Sequence, residues 1–204
     1  KISKQAFDSS VSEIKANIDS FSDQDMFINV LKLVALPGSE RDGHMLVAYY
    51  DGTDNDIYPI KLYHFSDGVY VIQANQTYQH LIGAQLINIE GKSLDEMNDL
   101  IDPLITRDNE NNLIPRRNNI YISPNILNSL SIVNDPESAS FLFKDKDGQF
   151  EFTEIMSPIE PSQYFLDSTA NLPKDSELFY INNPETYWLN HFEQEETLYL
   201  KLNK

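Results

Sequence analysis

The residues of this 204-residue chain that could do chemistry are four histidines, a few clustered aspartates and one short glycine turn. None of His44, His64, His80 and His191 stands at the i, i+3 or i, i+4 spacing that puts two ligands on one helical face, and His-Glu-x-x-His does not occur. A bound zinc is not expected. His44 ends Arg41-Asp42-Gly43-His44, a turn leading into a strand. It reads either as a general base oriented by Asp42 or as a turn whose Asp and His satisfy backbone groups. No activated nucleophile stands nearby, which favours the turn. Asp145-x-Asp147-Gly148, with Glu154 further on, imitates part of a calcium loop. The first ligand position of such a loop would be Phe143, which cannot bind calcium, so a hairpin turn is the better reading. Asp51, Asp54 and Asp56 crowd another turn and read as a solvated acidic loop rather than a weak calcium site.

Other chemistries are excluded by what is missing. There is no cysteine, which removes disulfides, thiolate nucleophiles and cysteine-held metals. Gly-x-Ser-x-Gly, the phosphate-binding loop and Gly-x-Gly-x-x-Gly are all absent from the sequence. No cofactor is expected. Lys and Arg number 15 against 32 Asp and Glu, so the formal net charge is -17. Such a surface repels phosphate backbones, and Arg116-Arg117 is too small a basic cluster to offset it; nucleic acid is not an expected partner. No apolar run approaches the roughly 20 residues of a membrane span. Lys1 in place of Met suggests a mature or trimmed chain, and composition does not give a compartment.

The elements that must position these residues follow from periodicity. Phe7, Val11, Ile14, Ile18 and Phe21 share one helical face. Ser22 with Asp25 reads as the cap of a second helix, with Met26, Phe27, Val30, Leu31 and Val34 as its stripe and Pro37-Gly38 as its stop. From residue 44 the period becomes that of strands, over 45–50, 57–65, 69–74 and 84–89. Ser93-Leu94-Asp95-Glu96 is a capping box, and Leu94, Met97, Leu100 and Ile101 line the helix it starts. Residues 106–133 read as helical pieces, with Ser123 as an N-cap and Pro124 at the first helical position. A hairpin spans 140–155, prolines punctuate 158–184, and 196–202 alternates as a strand with no evident partner, expected at an edge, against a second copy or paired with the helical region. The fold expected is α+β: a helical region over 1–43, a small sheet domain with a packed helix over 44–157, and a connector over 158–204.

One ordered set of motifs points to a family. A helical pair is followed by Arg41-Asp42-Gly43-His44, then Asp67-Gly68-Val69-Tyr70-Val71, then Gly83-Ala84-Gln85-Leu86-Ile87-Asn88-Ile89-Glu90-Gly91-Lys92, a capped helix and a hairpin. This order resembles the amino-terminal half of the C-terminal-processing, or tail-specific, serine peptidases. The tail, from Tyr187-Trp188 to Thr197–Asn203, is similar to the approach to that family's catalytic domain. The resemblance implies a PDZ-like domain, an extracytoplasmic or secreted location, and a parent protein active in proteolysis. The nucleophilic Ser, the Lys base and the Gly-rich oxyanion loops would belong to a domain after residue 204, so no catalytic residue is assigned here. The resemblance further implies a groove between the 69–74 strand and the 94–101 helix, taking a peptide as an added strand. Gly68, Val69, Tyr70, Val71, Leu94 and Met97 would line it. Ser66-Asp67-Gly68 departs from the apolar-Gly-apolar loop that captures a terminal carboxylate. The expected partner is a peptide or unfolded protein, with self-association through the last strand. The alternative from another class is a non-enzymatic extracellular binding module.

Overall fold

A computed structural model of the chain describes residues 2–38, 43–45, 56–163, 187–192 and 197–202. The chain divides into two units, Lys1–Thr169 and Ala170–Lys204. Residues 46–50 of the strand expected over 45–50 and the residues Arg41, Asp42, Asp51 and Asp54 lie outside the described residues.

The first unit opens with helices α1 (Lys4–Asn17) and α2 (Asp23–Gly38). Ser22 and Asp25 cap α2 reciprocally: the Asp25 amide donates to Ser22 Oγ at 3.1 Å and the Ser22 amide to Asp25 Oδ2 at 3.1 Å. The Ser22 hydroxyl, which donates to Asp25 Oδ2 at 2.7 Å, and then the Ser22 amide hold the Asp25 carboxyl below its ordinary range. On α2, Ile28 and Leu31 enter the core of the sheet, so the second helix belongs to the same packed body as the strands.

The strands are β1 (Ile60–Phe65), β2 (Gly68–Ala74), β3 (Gln85–Ile89), the short β4 (Lys92–Ser93), β5 (Ala139–Lys144) and β6 (Glu151–Met156). They form an open antiparallel sheet in the order β1-β2-β3-β5-β6, with β4 paired to β3. Period-two alternation gives the sheet one buried face. Val69, Leu86, Phe143 and Phe152 sit opposite one another across four strands and make a continuous inner row. The next row, Tyr63, Tyr70, Gln85, Lys144 and Glu151, lies on the opposite face.

Helices α3 (Leu94–Ile101), α4 (Leu113–Tyr121) and α5 (Pro124–Ser129) contribute Met97, Ile101, Leu113, Ile120, Tyr121, Ile126 and Leu127 to the core. Each such side chain contributes about 1.5–3 kcal/mol relative to exposure. The capping box of α3 forms as the sequence indicates, Glu96 Oε2 accepting from the Ser93 amide at 2.8 Å. Ser123 differs. It precedes Pro124 at the start of α5, but its hydroxyl donates back to Asn119 O at 2.7 Å because α4 ends directly behind it, so no side-chain cap forms. No described helix is long and apolar enough to cross a membrane.

In the second unit the described residues form a hairpin of β7 (Tyr187–Phe192) and β8 (Thr197–Leu202). The strand expected at 196–202 therefore exists, but it has a partner. Leu189 stands opposite Leu200, and His191 opposite Leu198. Tyr187, Leu189, Leu198 and Leu200 are exposed.

Two tyrosines buried in the first unit make its stability dependent on alkaline pH. Burial pushes the Tyr121 phenol up to about 12. Burial also raises Tyr58, helped by the carboxylates of Glu90, Asp135 and Glu137. An unfolded tyrosine ionises near pH ~10. The folded state therefore keeps protons that the unfolded state has lost. Stability is fully present below about pH 10 and falls as pH rises toward the folded values, by about 1.4 kcal/mol per pH unit for each phenol. Urea unfolding between about pH 8 and pH 12 is expected to show this fall, and Tyr121→Phe to make it shallower. An unchanged slope in the variant would show that the Tyr121 phenol ionises alike in both states.

Candidate functional site

The six positions expected to line a peptide groove do not face one cleft: four belong to the core, while Gly68 and Tyr70 lie on the outer side of β2. Val69, Val71 and Met97 are buried, and Leu94 is partly buried against the same cluster. Both edges of β2 are already paired. On one side Gly68, Val69, Tyr70 and Val71 stand opposite Phe65, His64, Tyr63 and Leu62. On the other, Val69 and Tyr70 stand opposite Leu86 and Gln85, the Val71 amide donates to Ala84 O at 3.0 Å, and the Gly83 amide donates to Val71 O at 2.9 Å. Strand addition needs unpaired amides and carbonyls, and the 68–71 backbone has none to offer. Period-two alternation identified β2 as a strand and its faces, yet it carries no information on which strands flank it. Among the described strands, β1 and β6 end the sheet.

The Gly43–His44 turn is held in place from a distance. The Gly43 amide donates to Asp108 Oδ1 at 2.8 Å, and Arg116 Nη2 donates to Gly43 O at 2.7 Å. Arg116 Nη1 also donates to Thr106 O at 2.8 Å and to Thr106 Oγ1 at 2.9 Å. Both sides of one glycine are thus bound by the segment 106–116, and a Cβ on Gly43 would meet Asp108 Oδ2 at 2.8 Å. Gly43 is buried while His44 is exposed. Asp42, the residue that would orient His44 as a base, lies outside the described residues. Asp108 was not singled out by the sequence reading, because its partner is 65 positions away.

The two adjacent arginines are both committed internally. Arg117 Nε and Nη2 donate to the two Asp102 oxygens at 2.7 and 2.6 Å, a bidentate pair joining α4 to the end of α3. That pairing raises the Arg117 guanidinium. Beside it the Tyr121 hydroxyl donates to Asn98 Oδ1.

The acidic motif at 145–148 is a turn. Asp145 Oδ1 accepts from the amides of Gln149 at 2.6 Å and Phe150 at 2.9 Å, and these backbone bonds contribute to holding its carboxyl below the ordinary range. Among the described residues no group of three or more His, Cys, Asp or Glu could hold a metal ion. His80 Nε2 lies 3.0 Å from Glu154 Oε2, joining the helical turn 76–81 to β6. His64 is on β1 and His191 on β7.

The outer face of the β1–β2 hairpin carries an aromatic cluster. The Tyr63 and Phe65 ring centroids are 4.7 Å apart, and those of Phe65 and Tyr70 are 5.7 Å apart, edge to face. Tyr63 is 52% exposed, Phe65 46%, and Ile72 adjoins them on the same face. The Tyr70 hydroxyl donates to Asp67 Oδ2 at 3.1 Å, and Gln85 Nε2 donates to Asp67 O at 3.2 Å. The sequence signal was available, since Tyr63, Phe65 and Tyr70 occupy the solvent side of an alternating pattern.

Comparison with protein-family models, with curated proteins and with solved structures finds no match to this chain.

The glycine clamp makes a non-additive prediction. Gly43→Ala forces a side chain onto Asp108, and Asp108→Ala removes an acceptor from a buried amide; each is expected to cost about 1–3 kcal/mol. In the double variant the side-chain clash is gone and only the 3.2 Å approach to the Asp108 amide nitrogen remains, so its loss of stability should be less than the two losses added together. Urea midpoints of the four proteins measure this, and simple additivity would mean the contact does not constrain the turn.

Proposed function

We propose that this chain is the non-catalytic amino-terminal and PDZ-like portion of an exported tail-specific-type serine peptidase, presenting or gating a polypeptide substrate. The observation that carries this reading is the segment from Gly83 to Ile101. There the strand β3, the Glu90-Gly91 turn, β4 and the capped helix α3 follow one another without a break. That strand–turn–helix succession, preceded by two helices and followed by the β5–β6 hairpin, keeps the order of the motifs that carry the resemblance.

A polypeptide has two ways to engage such a body. It can pair with the outer edge of β1 or β6, or it can lie across a sheet face that offers apolar contact. The paired edges of β2 favour these over the 68–71 backbone. A second reading, a non-enzymatic binding module, draws on the exposed cluster of Tyr63, Phe65 and Tyr70, which does not need a catalytic partner to be useful.

Incubating the chain with casein and with reduced, carboxamidomethylated lysozyme tests the proposal. Neither should be cut, and the unfolded lysozyme should bind saturably. Cleavage that survives repurification would contradict the non-catalytic assignment. Absence of binding up to about millimolar polypeptide, a Kd equivalent to only about 4 kcal/mol, would contradict substrate presentation.

A further inference from the structure

We propose that the outer face of the β1–β2 hairpin, built on Tyr63, Phe65 and Tyr70 with Asp67 at its rim, docks a basic, extended polypeptide segment. This names the class of polypeptide that the reading above leaves open, and it rests on that reading.

The first argument is area and chemistry. Three rings joined through Phe65 on the solvent side of a hairpin leave apolar surface that gains from being covered. Aromatic faces attract guanidinium and ammonium groups through the ring quadrupole, while the methylene stems of Arg and Lys cover the rings. Asp67 supplies the charge partner, and it is already placed. Its carboxylate accepts from the Tyr70 hydroxyl and its carbonyl from the Gln85 amide group, so the acid is fixed beside the rings.

The second argument is rigidity. The hairpin is paired from Ile60–Ala74 to Phe65–Gly68. Gly68 lies directly against the Gln85 side chain, whose Nε2 donates to Asp67 O at 3.2 Å, and this bond ties the turn that carries Asp67 to β3. A docking partner would not have to order this surface, which removes part of the usual cost of binding.

Charge selects the occupant. At a formal net charge of -17, cationic segments are steered toward the chain and anionic ones repelled. A second copy carries the same charge and is disfavoured for the same reason. Two cations share the outer face: Lys61 on β1, and Lys144, which stands opposite Glu151 on β6 and is separated from Tyr70 by Gln85 on β3. Asp67 is the charge at the ring cluster itself.

Titration of the full chain with the decapeptide (Arg-Gly)5, followed by backbone amide resonances, tests the proposal against (Glu-Gly)5. Shifts are expected over 61–72, with affinity falling as salt is raised to about 0.5 M. Tyr63→Ser with Phe65→Ser should weaken binding about tenfold, and Asp67→Asn severalfold, with thermal midpoints close to that of the parent chain. Asp8→Asn on α1 removes one exposed charge elsewhere and should leave affinity unchanged. Equal weakening by Asp8→Asn and Asp67→Asn, or equal binding of the acidic peptide, would overturn the proposal by showing an unlocalised surface effect. If unfolded lysozyme binds the Tyr63→Ser/Phe65→Ser variant as tightly as the parent, docking at the rings fails while substrate presentation stands. If (Arg-Gly)5 binds at the rings and unfolded lysozyme does not bind at all, presentation fails instead.

Discussion

Tyr58 is completely buried although it carries a hydroxyl and stands just outside a terminal strand of the sheet, and its contacts, with those of its neighbour Ile57, tie distant parts of the first unit together. Its hydroxyl donates to Pro136 O at 3.0 Å, its amide donates to Ile122 O at 2.9 Å, and its ring meets Phe141 edge-on at 4.9 Å. The preceding residue, Ile57, forms a bridge with Ile159, each amide donating to the other's carbonyl at 2.9 Å. The chain entering β1 is thereby joined to the chain leaving β6, to the helical insertion and to the middle of β5. A buried phenol is costly when left unpaired, so these bonds specify one arrangement rather than merely adding to the total. The Ile57–Ile159 bridge matters for the same reason: it ties together the chain segments flanking β1 and β6, which end the open sheet.

Polar groups inside an otherwise acidic molecule follow a similar logic. With 15 cations against 32 anions, a free arginine would find carboxylates anywhere on the surface. Arg116 and Arg117 instead turn inward, one to backbone carbonyls and a threonine hydroxyl, the other to both oxygens of Asp102. The planar fork of guanidinium suits both tasks, and lysine could not reproduce either. Adjacent positions on α4 thus face different neighbours: Arg116 reaches the Gly43 turn and Arg117 reaches the end of α3. What read as a small basic cluster in the sequence is two separate fastenings.

The features legible in advance were those whose cause is local. Both capping boxes, Ser22 with Asp25 and Ser93 with Glu96, depend on residues three apart and form as expected. The Asp145 turn, the strand faces and the α3 stripe at Leu94, Met97 and Ile101 have the same character, each set by spacing within a few residues, whereas Leu100, expected on that stripe, is exposed. Illegible were the contacts that join residues far apart: Asp108 with Gly43, Arg116 with Gly43, and His80 with Glu154 across 74 positions. The groove expected at β2 presupposed a strand with a free edge, and strand order is a long-range property. The β7 partner of the last strand was missed because Tyr187-Trp188-Leu189-Asn190-His191-Phe192 begins as an apolar run and does not alternate cleanly.

The segment 106–136 links the two surface features that could serve a partner. Asp108 and Arg116 hold the turn bearing His44, while Ile122 and Pro136 hold Tyr58, two residues before β1 begins. β1 in turn carries Tyr63 and Phe65 of the exposed cluster. Because a strand transmits its side-chain placement with period two, fixing Tyr58 inward helps to set the register that leaves Tyr63 and Phe65 outward. One residue of slip would bury those rings and expose Leu62, and Tyr58 could then not reach Pro136. The one register shift in this ladder falls on β2, where Ile72 is the extra residue between the Lys61–Gln73 and Leu62–Val71 pairs, so the alternation along β1 is unbroken. The outward rings are therefore a consequence of the same buried phenol that organises the core, which is why the exposed face can be rigid without a layer of its own to support it.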